Sequence, residues 1–435
     1  MRSGTNHLII RRGLRFKGHS CCLFAPLLFV LFAASEPVTA TGKPGTEEGV
    51  DKCYKSTNPG IAITYCTRAI ESGQLSGKGL AFAFYRRGNA YNEQGDYDRA
   101  IDDYNEALQL NPKHANALSN RGVAYAGKRD YDRAIQNYDE AIRLNPSHAD
   151  AFSNRGVAYA RKGDYDRAIQ NYDEAIRLNP NHANALFDRG NAYRRKKDYD
   201  RAIDNYNEAL RLNPKHANAF SNRGVAYGHK GEYDLAIQSY DEALRLNPRH
   251  LNALYNRGNA YTRKGEYDRA AQDYDQVLQL NPKHTNAYSS RGFVRFFQGQ
   301  FTAAVPDFSE AVRFAPNNPY RILLLYIAQA RAGNHGREAL AHAAQGLDLA
   351  KWPGPVVSMY LGKVPEQVVL DSVAEADVTE RPQRRCQAYF YIGQQLLIRQ
   401  RNNEAAKMFR ETVATNASAL FEYEAAQAEL RRLGN

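Results

Sequence analysis

Residues 115–148 and 149–182 are the same 34 residues at all but five places, Asn116/Asp150, Leu118/Phe152, Gly127/Arg161, Arg129/Gly163 and Ser147/Asn181. The frame runs without insertion from Ala81 to Asn318, giving seven units. Their consensus reads A-x-A-hydrophobic-x-N-R-G-x-A-Y, then G-D-Y-D-R-A-I-x-x-Y-x-E-A-I-x-L-N-P-x-H, and the seventh unit drifts from it. A chain written this way makes one small unit many times. No unit buries its apolar face alone, so the units must stack. The same economy explains 29 Tyr against one Trp and three Met.

Counting Ala81 as position 1, Gly holds position 8 in every unit, Ala position 20 and Pro position 32. Tyr holds positions 11 and 24 in the first six. Positions 4, 8 and 11 share one helical face, and so do 20, 24 and 27. Small residues at 8 and 20 let two antiparallel helices approach, with the tyrosines filling the space beside them. Asp96, Asp130, Asp164 and Asp198, at position 16, are placed to cap the second helix. Asn-Pro at 31–32 ends it, because Pro cannot continue the hydrogen-bond ladder. Period and residues together resemble the tetratricopeptide repeat. The resemblance implies an all-α fold, a right-handed solenoid of antiparallel helix pairs with a concave and a convex surface.

Four segments are expected. Residues 1–40 read as a signal peptide: Arg11, Arg12, Arg15 and Lys17, an apolar run from Cys21 to Ala34, then Val38-Thr39-Ala40. Residues 41–80 hold a linker over Thr41–Val50 and a worn first repeat, residues 81–318 the seven units, and residues 319–435 a degenerate repeat with a helical extension. In the worn repeat Cys53 and Cys66 take positions 11 and 24, which face each other across the hairpin. In an exported chain the pair is expected to form a disulfide. The apolar run is short for a spanning helix, though an uncleaved anchor is the alternative. Net charge is +11, of which the leader carries four. The basic residues are scattered among carboxylates, so nothing in the sequence points to nucleic acid.

In the last segment 320–332 and 337–350 read as a helix pair, with further helices near 385–399, 403–415 and 419–433. The Trp352 region with Tyr360-Leu361-Gly362, Phe390-Tyr391-Ile392-Gly393, Ala405 to Val413 and the Glu422–Leu433 helix resemble the tail of NlpI-type cell-envelope proteins. That likeness implies a scaffold for cell-wall hydrolases or a periplasmic protease, and leaves a homodimer open.

No phosphate loop, GxSxG elbow or HExxH stands in a fitting context, so no catalytic residue, cofactor or metal is assigned. The histidines at position 34 recur about 10 Å apart, too far to share a metal, and read as inter-repeat loop residues. Arg at position 7 of every unit reads as architectural, and Cys386 as a buried thiol. Specificity belongs where the units differ. Positions 5, 9, 12 and 13 vary most, and in the family they line the concave groove. They supply Tyr85, Asn89, Phe187, Asn191, Arg194, Arg195, Tyr255, Asn259 and Arg263. Phe293, Phe296 and Phe297 occupy the same positions in the seventh unit, either as core beneath the tail or as an apolar end-pocket. The expected function is a non-enzymatic periplasmic scaffold holding protein or peptide partners. A holder of unfolded clients and the regulatory part of an enzyme are the alternatives.

Overall fold

The computed structural model describes residues 47–434 apart from His335 and Ala419. The expected signal peptide and the first part of the linker lie outside the described residues. Those described form 23 α-helices and no strand. A first pair, α1 (Glu47–Lys55) and α2 (Pro59–Glu71), starts the stack. Glu47–Val50, expected as linker, are already helical.

Seven pairs follow: α3 (Gly77–Glu93) with α4 (Tyr97–Leu110), α5 (Ala115–Gly127) with α6 (Tyr131–Leu144), α7 (Ala149–Arg161) with α8 (Tyr165–Leu178), and α9 (Ala183–Arg195) with α10 (Tyr199–Leu212). Then come α11 (Ala217–Lys230) with α12 (Tyr233–Leu246), α13 (Leu251–Lys264) with α14 (Tyr267–Leu280), and α15 (Thr285–Phe297) with α16 (Phe301–Phe314). The tail is α17 (Pro319–Arg331), α18 (Arg337–Ala343), α19 (Gly354–Tyr360), α20 (Glu366–Ala374), α21 (Arg381–Ile398), α22 (Asn402–Ala414) and α23 (Phe421–Arg432). α18 is half the length expected and runs into a 3-10 turn at Ala344–Gly346. α19 and α20 were not foreseen. Seven and nine residues long, they fall below the length at which periodicity identifies a helix.

Local chemistry sets the helix ends. The carboxylates of Asp96, Asp130, Asp164 and Asp198 each accept the N–H three residues on. Position 34 does the same for the next first helix: Nδ1 of His114, His148, His182, His216, His250 and His284 accepts the N–H of the third residue on. The histidines are therefore N-caps as well as loop residues. Pro306 lies inside α16 without ending it.

Within each pair the glycine at position 8 lies on the ring at position 24. A β-carbon at Gly156 would stand 2.7 Å from the Tyr172 ring. The arginine at position 7 ties pair to pair. Arg257 donates from Nε and Nη2 to Asp273 in its own repeat and from Nη1 to Asp241 in the preceding one. Arg121, Arg155, Arg189 and Arg223 repeat the span with Asn or Ser as the first acceptor.

Cys53 and Cys66 are joined in a disulfide between α1 and α2. At the other end the tail encloses the largest apolar core of the molecule, into which the seventh repeat is built.

Candidate binding groove

The concave face is made by the first helices of the pairs, and its residues fall into two sets. Repeats 1, 4 and 6 carry an aromatic at position 5 and Asn at position 9: Tyr85 with Asn89, Phe187 with Asn191, Tyr255 with Asn259. Repeats 2, 3 and 5 carry Ser and Val instead: Ser119 with Val123, Ser153 with Val157, Ser221 with Val225.

The aromatic set is built as a unit. Tyr85 packs on His114 and Tyr104, Phe187 on His216 and Tyr206, and Tyr255 on His284 and Tyr274. The buried hydroxyls of Tyr104, Tyr206 and Tyr274 donate to Oδ1 of Asn89, Asn191 and Asn259 at 2.8–2.9 Å. Asn120 and Asn222 of the following repeats donate to the same oxygen of Asn89 and Asn191. These donors fix each amide with its oxygen engaged, which leaves the NH2 group as the half-exposed end. Asn191 spends part of it on Asp188, at 3.4 Å.

Where serine replaces the aromatic, the space over the histidine stays open. Two serine repeats in succession leave a cavity of about 660 Å³ bounded by Tyr85 and Phe187. His148 and His182 line it, each with a buried Nε2 that makes no hydrogen bond. Their Nδ1 accepts a backbone N–H, so in the neutral ring the proton sits on Nε2; at His148 it is open to a ligand, and at His182 it faces Asp150 Oδ1, 3.2 Å away. Asp150 and Asp188 line the same cavity. Burial pushes the Asp188 carboxyl up to about 6, against the pull of Asn191, Arg161 and His182.

Six residues beyond Asp188 along α9, about 9 Å at the helical rise, stands Arg194 with Arg195 beside it. Arg161, Arg195 and His229 are exposed along this second edge. Arg194 is half-buried, and its Nε has no partner.

The groove ends at the sixth repeat. Arg263, expected to face a ligand, donates instead to the Ser418 carbonyl and to the Glu424 carboxylate ahead of and within α23. Phe296 is 0% and Phe297 6% exposed, so neither forms an end-pocket. Phe421 lies over both and over Phe293, with ring centroids 4.2–6.0 Å apart. Arg432 fastens the far end of α23 to the carbonyls of Phe296 and Phe297. The groove open to a ligand therefore spans the first five repeats, with the sixth half covered.

The positions that vary between units identified the aromatic–asparagine sets and the two arginines. They missed Asp150, Asp188, His148 and His182. The signal for the acids was present: Asp stands at positions 2 and 6 where Asn is the prevailing residue.

Family models for the tetratricopeptide repeat match residues 81–114, 103–136 and, in five overlapping stretches, 125–319. The chain belongs to the tetratricopeptide-repeat family. No curated protein matches the chain. Solved structures that it resembles include MamA, at 27% identity and a TM-score of 0.35 over 37% of this chain and 95% of that one. YrrB, described as a TPR protein with an unusual peptide-binding site, has 27% identity and a TM-score of 0.36 over 43% and 95%. PilF of Pseudomonas aeruginosa has 22% identity and a TM-score of 0.43 over 46% and 92%. Proteins of this repeat family commonly mediate protein–protein interactions, and among the described residues of this chain no group of His, Cys, Asp and Glu could hold a metal ion.

Proposed function

We propose that this protein is a non-enzymatic scaffold that holds an extended peptide segment of a partner in its concave groove. The observation that carries the reading is the clamped amide of Asn89, Asn191 and Asn259. Each oxygen is held by a buried tyrosine hydroxyl, so the NH2 is the end left to donate, in Asn191 partly to Asp188. Fixed amide donors spaced along a groove suit the carbonyls of an extended backbone, because their order is set before the ligand arrives. Arg194 and Arg195 add forked donors for carboxylates on one edge. A holder of unfolded clients would want adaptable contacts; clamped amides favour a defined segment.

The compartment belongs to the same proposal. The basic, apolar and small-residue succession of residues 1–40 supports export to the periplasm, and the Cys53–Cys66 bond suits an oxidising compartment. Among the described residues no helix is long and apolar enough to cross a membrane. Partners of the cell-wall hydrolase or periplasmic protease kind follow only from the likeness of the tail to NlpI-type proteins.

Crosslinking in intact cells with mass spectrometry identifies the partner, and variants then locate its seat. Asn191→Ala with Asn259→Ala, and Arg194→Ala with Arg195→Ala, are each expected to weaken binding while leaving the fold intact. Loss in the arginine pair is expected to shrink at high salt, because exposed charges are screened. Undiminished binding by both pairs would move the interface to the convex face.

A further inference from the structure

We propose that the cavity between Tyr85 and Phe187 is a subsite for a cationic side chain, lysine or arginine, of the bound segment. The inference rests on the peptide-groove reading and gives it a chemistry.

Seven repeats in one frame provide their own controls. Position 2 is Asn in five of the seven repeats and Asp in one, Asp150. Position 6 is Asn in four of the seven and Asp in one, Asp188. Both departures adjoin one histidine, His182: its Nε2 lies 3.2 Å from Asp150 Oδ1, and its charge acts on Asp188. Both carboxylates line the one cavity that the serine repeats leave open. Elsewhere along the array carboxylates at repeating positions have cations: Asp103, Asp273 and Asp307 have the position-7 arginines, and Asp98, Asp132 and Asp166 have lysines. Asp188 has no Lys or Arg within ion-pair distance among the described residues; Arg161 acts on it only from further off.

The surroundings suit a cation in other respects. Phe187 and Tyr85 offer aromatic faces at the two ends of the cavity, and a guanidinium or ammonium over such a face is attracted by its quadrupole. The amides of Asn116 and Asn154 also line the cavity and can turn an oxygen to its remaining hydrogens. About 660 Å³ admits a long side chain with water to spare.

The two edges of the groove then differ in sign. Asp150 and Asp188 lie toward the N-terminal ends of the first helices, and Arg161, Arg194 and Arg195 toward the C-terminal ends. Successive side chains of an extended strand point to opposite sides. A segment lying along the groove presents a basic residue to one edge and acidic residues to the other.

The test uses an array of random dodecapeptides, probed with the full-length protein and with the Asp150→Asn, Asp188→Asn double variant. Asparagine already occupies both positions in other repeats, so the variant keeps the fold, which circular dichroism checks. Wild type is expected to retain peptides enriched about tenfold in Lys or Arg at one position, the discrimination that one half-buried charge pair supplies. The variant is expected to retain peptides with that enrichment gone. Enrichment absent from wild type, or surviving in the variant, overturns the cationic subsite and leaves the peptide groove standing. Wild type that retains no peptide at all overturns both.

Discussion

A β-carbon added at Gly224 would stand 2.6 Å from Cε1 of Tyr240, whereas one added at Gly228, a turn further along the same helix, would meet only the Tyr240 hydroxyl at 3.9 Å. The first glycine is required by the ring packed on it, and the second is not. Gly224→Ala is expected to cost about 1–2 kcal/mol, overpacking offset in part by better helix propensity. Gly228→Ala is expected to stabilise α11 by about 0.5–1 kcal/mol. Hydrogen exchange of the α11 and α12 amides reads both. Equal effects in the two variants would refute the packing argument.

The position-7 arginines look alike in sequence and are not alike in energy. Arg257 neutralises Asp273, which is 2% exposed. Arg189 meets the neutral Asn205 in the same place. Arg257→Ala strands a buried carboxylate and is expected to cost about 3–5 kcal/mol. Arg189→Ala removes hydrogen bonds to Asn205 and an ion pair to the half-exposed Asp173, strands no buried charge, and is expected to cost about 1–2 kcal/mol. Urea unfolding distinguishes them, and Asp273→Asn is expected to rescue most of the loss in Arg257→Ala.

The repeats were legible because each rule was written seven times. Gly and Tyr at 8 and 24, Asp at 16 and Asn-Pro at 31–32 all act within one helix pair, where spacing alone sets contact. What spacing does not carry was missed. Nothing local says that Glu424 reaches Arg263, 161 residues away in sequence. Nor does it say that Phe421 covers Phe293. The histidines were read as loop residues because their regular recurrence argued against a site. Their caps use Nδ1, and only the width of the groove decides what Nε2 faces. α19 and α20 escaped notice because they are short and held by the tail core more than by their own pattern.

Phe296 is wholly buried between Phe301 and Phe421. Phe296→Ala is expected to lose about 3–5 kcal/mol, the usual cost of deleting a core phenylalanine. Phe421→Ala, from the other side of the contact, is expected to loosen α15 and α23 together. Thermal unfolding monitored at Trp352 in the tail follows both. An unchanged melting temperature for Phe296→Ala would show that the ring is not core.

Reduction should act at one end only. Cys53 and Cys66 close a loop with a sequence separation of 13, and the chain-entropy account gives about 3 kcal/mol for a loop near that length. Solenoid repeats contact chiefly their neighbours, so α1 and α2 are expected to fray while α5 onward keeps its exchange protection. Cys386 is buried, and burial pushes its thiol up to about 11, so it is expected to resist alkylation until the tail unfolds. Labelling of Cys53 and Cys66 in native, unreduced protein would contradict the bond.

Asp188 gives the protein a pH dependence whose sign can be worked out. Its carboxyl titrates near 6 in the fold, chiefly because it is buried, against an unfolded value of about 3.9. A raised carboxyl favours the fold when protonated. That contribution is complete below about pH 4 and disappears as pH rises through 6. Asp188→Asn removes the titration while keeping the shape. The variant is expected to be more stable than wild type at pH 8, by on the order of 2 kcal/mol, with the two converging by pH 4. Urea unfolding at pH 4, 6 and 8 measures the difference, and a gap independent of pH would exclude the burial cost. A lysine-containing ligand seated beside Asp188 is expected to reverse the trend, because a cation draws the carboxyl back toward its ionised form. The wild-type preference for such a peptide should then fade as pH drops below 6, and Asp188→Asn should show no such fading.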